Sequence, residues 1–441
     1  MTGSGEARGW RGSLMGGMFY LYLFLVSLPI FINISRDGVH FVSSVMKLPT
    51  GATINVGLLV IPWFVVALLQ RCWKGHGLKT GALGKAILLF LAGCLAVVLC
   101  GQAQEVLAMR WLILGQVAAP FFAYFYLVNF LEDIRLGLLT KLLVASLVVQ
   151  TAFFLSMNLQ GLLAGQSLDA SMFFVFQGTK IYLYGVRDYY PILFLTLVIF
   201  VHHNAVNKVR SGLFGQAAVL SAVLLYGFST IFHSRSLLLA LLCVFGFYLS
   251  MRSRQKPFVL FFTLMSVLLM AALILRPSLF ADVSSSSRLL ETIQGANAAL
   301  QGQEDAFDAG GSTYQRLEAM TNSVSLFLEN PLTGIAFAWP YAAHSQYLSM
   351  LAMGGIIPFA LFLYLLWRLY YETRCALGRS GEGVVPAYDP GGACAILILF
   401  LVSAFFQNNL TVTYTSCLFW ALVGMHEVGQ IECNPRLRGQ V

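Results

Sequence analysis

Residues 84–100 read GKAILLFLAGCLAVVLC, and residues 257–275 read PFVLFFTLMSVLLMAALIL. Apart from Lys85 near one edge, neither stretch carries a charge. A helix that is apolar on every side has no face to offer water. About 20 such residues are what crosses the hydrocarbon layer of a bilayer. Ten further runs are of the same kind: 18–35, 52–69, 108–130, 142–159, 189–203, 213–233, 236–251, 345–367, 393–410 and 415–429. The expected fold is all-α, a polytopic integral membrane protein of about twelve transmembrane helices. Composition agrees: of 441 residues, 58% are hydrophobic and 10% are charged. A soluble domain is about 45–50% apolar and about 25% charged. The difference excludes a soluble enzyme, a disordered chain and a nucleic-acid-binding domain, so the net charge of +8 is assigned to membrane loops.

Lys and Arg set the orientation, because they accumulate on the cytoplasmic side. With the N-terminus inside, nine of the 27 basic residues fall in outer segments: Arg36, Lys47, Arg110, Lys180, Arg187, Arg235, Arg276, Arg288 and Arg316. The other eighteen fall inside, so both termini are expected to be cytoplasmic. Arg8 and Arg11 precede the first run with no A-x-A-type cleavage site after it, which reads as a first membrane helix. The eight cysteines form no C-x-x-C pair, and neither a zinc site nor a disulfide framework is read from them.

Two outer segments are long, 160–188 and 276–344. The second is expected to hold its own short helices. One is expected over 312–329, with Leu317, Met320, Val324 and Phe327 on one face and Ser312 as N-cap. Asn330-Pro331 should stop it. The chain thus divides into 1–275 (nine membrane helices and the 160–188 segment), 276–344 (the long outer loop) and 345–441 (three more helices and a cytoplasmic tail).

A chain of this kind is first a candidate transporter, but its two halves do not look alike, and no GxxxxGK[ST] phosphate loop is present. The outer arginines say more. Arg187, Arg235, Arg288 and Arg316 lie on the side that insertion disfavours. A guanidinium fork binds phosphate in bidentate fashion, so such a cluster suits an anionic lipid such as a lipid diphosphate; headgroup contact is the plainer alternative for each. His344 stands where the long loop enters the tenth helix. A neutral imidazole there can take a proton from an attacking hydroxyl, although a lone His at a helix start is more often structural. Glu304, Asp305 and Asp308 read as a solvated turn, not as a metal site.

These residues together resemble the O-antigen ligase and O-antigen polymerase superfamily, with its Wzy-C-type signature. Phe232-His233-Ser234-Arg235-Ser236 before an apolar helix is similar to its Ser-Arg opening. Thr313-Tyr314-Gln315-Arg316-Leu317, then Leu328-Glu329-Asn330-Pro331-Leu332-Thr333-Gly334, resembles its Arg-containing helix ending in Asn-Pro-x-x-Gly. His344-Ser345-Gln346-Tyr347-Leu348 with Gly354-Gly355-Ile356-Ile357 resembles its His-Asn/Ser…Gly signature, and Gly185-Val186-Arg187-Asp188-Tyr189 its basic outer loop.

The resemblance implies a GT-C-like glycosyltransferase of the bacterial inner membrane with a periplasmic site. It uses no metal, no nucleotide sugar and no other cofactor. Its donor is a glycan on undecaprenyl diphosphate. His344 would be the catalytic base, and Arg187 and Arg316, assisted by Arg235 or Arg288, would bind the diphosphate. Ligases pass the O-polysaccharide to the lipid A-core sugar, whereas polymerases pass a growing chain to a second lipid-linked repeat unit. His344, Ser345 and Gly355 fit the ligase pattern, while Pro358 departs from its last position. The polymerase pattern of Arg, ten residues, then Gly is missing after both Arg187 and Arg288. The ligase branch is therefore expected, with the polymerase as runner-up and a lipid-linked glycan transporter as the rival from another class.

Overall fold

A computed structural model describes residues 16–26, 31–33, 45–47, 53–55, 60–100, 107–130, 173–176, 179–182, 306–338, 345–379, 390–405 and 413–433, with isolated positions at 138–146 and 243–247. The expected spans 142–159, 189–203, 213–233, 236–251 and 257–275 lie wholly or almost wholly outside those residues. The described helices are α1 (Gly16–Val26), α2 (Ile61–Trp73), α3 (Ala82–Cys100), α4 (Leu107–Asn129), α5 (Ala306–Glu329), α6 (Gln346–Gly354), α7 (Ile356–Arg379), α8 (Pro390–Ser403) and α9 (Thr413–Cys433). Among them α3 and α4 are long and apolar enough to cross a membrane. The run 415–429, short on paper, belongs to a helix of 21 residues.

Three expectations need correction. The runs 18–35 and 52–69 are not helical throughout. The first becomes α1 and then strand β1 (Phe31–Asn33); the second begins with strand β3 (Thr53–Asn55) before α2. Proline explains both limits. Pro29 disfavours continuing a helix from α1 towards β1, and Pro62 stands in the first turn of α2, where proline is at home. The run 345–367 is two helices, α6 and α7, parted at Gly355. The loop helix α5 starts at Ala306, so Ser312 lies inside it and Asp308 is helical rather than part of a turn. Gly310-Gly311 weakens a helix without forbidding it.

Helices form the core, and five short strands add to the all-α expectation. β4 (Phe173–Phe176) and β5 (Thr179–Tyr182) pair antiparallel, and β1 joins the free edge of β5 with Asn33 opposite Lys180. β2 (Val45–Lys47) pairs with β3. The first sheet therefore ties the segment after α1 to the 160–188 segment, two stretches that the charge pattern puts on the same side.

The helices pack through aromatic side chains and small gaps. Phe121 of α4 meets Trp420 of α9 with ring centroids 4.6 Å apart, and Tyr124 meets Glu427 further along both helices. α4 and α9 therefore run parallel. Gly424 permits this closeness: a Cβ there would already stand 3.3 Å from Leu127 and from the Tyr124 backbone. α3 lies against α7, with Phe90 5.8 Å from Phe362 and Gly93 open to the Leu361 side chain. α1, α2 and α4 share a ring cluster in which Phe64 stacks on Tyr126 at 4.3 Å. Leu88, Leu89, Leu95 and Leu99 of α3 face outward. Exposed leucine along a whole helix is costly in water and costless in lipid.

Polar bonds gather at one end of this bundle. Lys79 N donates to Asn129 Oδ1 at 2.7 Å, Asn129 Nδ2 returns a bond to Lys79 O at 3.2 Å, and Arg71 Nη1 reaches Asn129 O at 3.1 Å. The Tyr124 hydroxyl donates to Glu427 Oε2 at 2.5 Å. The basic segment 71–85 belongs to this end, the one expected from the Lys and Arg bias to face the cytoplasm.

Candidate active site

The opposite end is organised by a knot between the turn after α5 and the break between α6 and α7. After Asn330, Pro331 ends α5, and Gly334 turns the chain with φ +55°, its N–H bonding Asn330 O at 2.8 Å. The turn then docks on the last turn of α6. Ile335 N donates to Ala352 O at 2.9 Å and Phe337 N to Met353 O at 3.0 Å. Those carbonyls end a helix and would otherwise lack partners. In return Ile356 N, at the start of α7, donates to Pro331 O at 2.9 Å.

Two glycines make the knot possible. A Cβ on Gly334 would run into the Ala352 carbonyl, and one on Gly355 (φ +72°) into the Leu332 carbonyl. Backbone meets backbone at both positions, and both have positive φ. The two motif glycines, far apart in sequence, thus belong to one structure. Ala336 and Phe337 also have positive φ, at 50° and 57°, held by the same bonds.

The far end of α6 is pinned separately. Gln346 N donates to Ala404 O at 2.8 Å, and the Tyr347 hydroxyl donates to Leu401 O at 3.2 Å at the end of α8. Ser345 is the extended N-cap residue, 3% exposed. His344 lies outside the described residues, but its neighbour Ser345 is fixed at the mouth of α6. Arg316 lies within α5, whose last turn leads into the knot; its side chain is not among those described. Arg187, Arg235 and Arg288 lie outside the described residues. The structure therefore brings the Asn-Pro-x-x-Gly motif and the Gly-Gly motif together, and puts the residue after His344 on the same helix as the knot. It does not test the grouping of the four arginines.

Sequence reading missed Arg110. It stands in the first turn of α4 and is 5% exposed. The only signal for it was its presence on the positively disfavoured side.

Apolar helices, two of them long enough to cross a membrane, fit a helical membrane protein. Residues 216–363 match a family model described as O-antigen ligase. The match supports the O-antigen ligase and polymerase superfamily, whose members are membrane proteins that act in glycosyl transfer on lipid-linked glycans. It spans Arg235, Arg288, Arg316, the knot and His344. No curated protein matches the chain.

Proposed function

We propose that this chain is an O-antigen ligase. It would move O-polysaccharide from undecaprenyl diphosphate to the lipid A-core sugar at the periplasmic face of the inner membrane. The observation that carries this is the family match over 216–363, which takes in the His344 motif and the arginine-bearing loop helix. The knot supports it by joining those two motifs through backbone bonds. A GT-C-like fold of about twelve spans is part of the proposal. The parallel run of α4 and α9 suits it, since both would be even-numbered spans.

In this reading His344 accepts the proton of the acceptor hydroxyl as that oxygen attacks the anomeric carbon. The bond from that carbon to the diphosphate oxygen breaks, and undecaprenyl diphosphate leaves with the bonding pair. Direct displacement inverts the anomeric configuration and needs no metal. Arg187 and Arg316, with Arg235 or Arg288, stabilise the charge growing on the leaving group. The loop 276–344 covers the site and holds the acceptor.

Pro358, at the last position of the ligase pattern, favours one alternative: a polymerase that extends lipid-linked repeat units of O-antigen or another exopolysaccharide. Reconstitution separates the two. The purified chain is mixed with undecaprenyl diphosphate-linked polysaccharide and lipid A-core. A ligase labels the core. A polymerase leaves the core bare and lengthens the lipid-linked glycan, and a transporter does neither.

A further inference from the structure

Arg110 is a guanidinium inside an apolar bundle with two nitrogens unused. It is 5% exposed, and neither Nε nor Nη1 has a hydrogen-bond partner among the described residues. The ion pair found among those residues is Arg368–Glu372, on α7. Burying an unpaired charge is among the most costly things a fold can do. The local field makes it worse. Arg110 is in the first turn of α4, where the helix dipole is positive and the first N–H groups have no helical acceptor. Cation, dipole and free donors are all complemented by an anion.

Its depth says which anion. The other end of α4 is Asn129, bonded to Arg71 and Lys79 at the basic, inner end. At about 1.5 Å per residue, Arg110 is about 28 Å further along the helix. The hydrocarbon layer is about 30 Å thick. With the Asn129 end on the inner side, as the Lys and Arg bias expects, Arg110 falls at the outer boundary, the level of lipid phosphates.

We infer that Arg110, with the first-turn N–H groups of α4, binds the phosphate of a lipid at the outer membrane boundary. A fork of N–H donors and a helix N-terminus are both suited to phosphate. If the proposed transfer reaction is right, on which this identification of the lipid rests, the occupant is the diphosphate of the donor. The other source of the same chemistry is a phospholipid headgroup.

The test uses the full chain in nanodiscs, titrated separately with undecaprenyl diphosphate and with phosphatidylglycerol. Arg110→Gln should weaken undecaprenyl diphosphate binding on the order of 10- to 100-fold. Arg110→Lys, which keeps the charge and loses the fork, should fall between. A loss for undecaprenyl diphosphate alone supports the donor as occupant; an equal loss for both lipids supports a headgroup site. Unchanged binding of both lipids by folded Arg110→Gln overturns the inference. If Arg110→Gln does not fold, Arg110→Met, which removes the charge and keeps the bulk, replaces it, and unchanged binding by it or by Arg110→Lys overturns the inference equally. Binding is read without turnover, so a chain that binds the lipid through Arg110 yet transfers no glycan refutes the ligase reading and leaves this one standing.

Discussion

Replacing Gly355 with Ala strikes the knot at its tightest point. The new Cβ would stand 2.5 Å from the Leu332 carbonyl carbon and 2.6 Å from Thr333 N, both backbone atoms with no rotamer to change. At φ +72° and ψ −166° an alanine also pays about 1–2 kcal/mol for a backbone region that is essentially glycine's. Relief requires moving 331–333 away from α6 and α7. That movement breaks the Ile356 N to Pro331 O bond and strains the Ile335 N to Ala352 O bond, both 2.9 Å. At about 1 kcal/mol for each bond, the total loss is about 3–4 kcal/mol. Thermal unfolding of the detergent-solubilised chain, followed by size-exclusion, should show a Tm lower by on the order of 6 °C. Gly115→Ala is the control. It lies inside α4 with nothing within 4 Å of the added Cβ, and it should be stabilising by about 0.5–1 kcal/mol. If Gly355→Ala melts with the parent, the turn and the helix break are not interlocked, and the reasoning from these glycines fails.

Other outcomes follow from the same structure. His344→Ala should lower transfer by at least about 100-fold, the usual worth of a general base, with its Tm unchanged; near-parental transfer in membrane vesicles would remove His344 from the chemistry. Tyr124→Phe leaves Glu427 without its 2.5 Å donor and should cost about 1–3 kcal/mol. A thermal melt checks this, and the loss should vanish when Glu427→Met, which has no oxygen to accept the bond, is already present. Asn33→Cys paired with Lys180→Cys should form a disulfide, because the two residues are opposed in the β1–β5 register. Non-reducing electrophoresis that shows no cross-link would contradict that pairing.

Much of the helical layout was legible because hydropathy measures what lipid requires. The runs 84–100, 108–130 and 415–429 correspond to α3, α4 and α9 for that reason. Hydropathy does not register backbone chemistry, so it carried 18–35 past Pro29 and began 52–69 ahead of Pro62. It also ran through Gly355, where apolar residues continue but the helix does not. Ser312 looked like a cap because its side chain suits one, yet Ala306, Phe307 and Ala309 let the helix begin earlier. The knot could not be read from the chain at all. Gly334 and Gly355 meet only because α6 folds back on the turn, and such closeness leaves no mark on a local pattern. Arg110 was counted as one outer charge among nine; its burial, which gives it meaning, is a property of packing. His344, Arg235 and Arg288 fall within the family match, whereas Arg187 precedes it and rests on its sequence context alone.

The most direct test of the ligase reading is a glycolipid gel of the host strain lacking this chain, beside the parent. Loss of all O-chain from the lipid A-core, with long polymer retained on undecaprenyl diphosphate, is the expected result. A core that still carries a single repeat unit would contradict it and point to a polymerase.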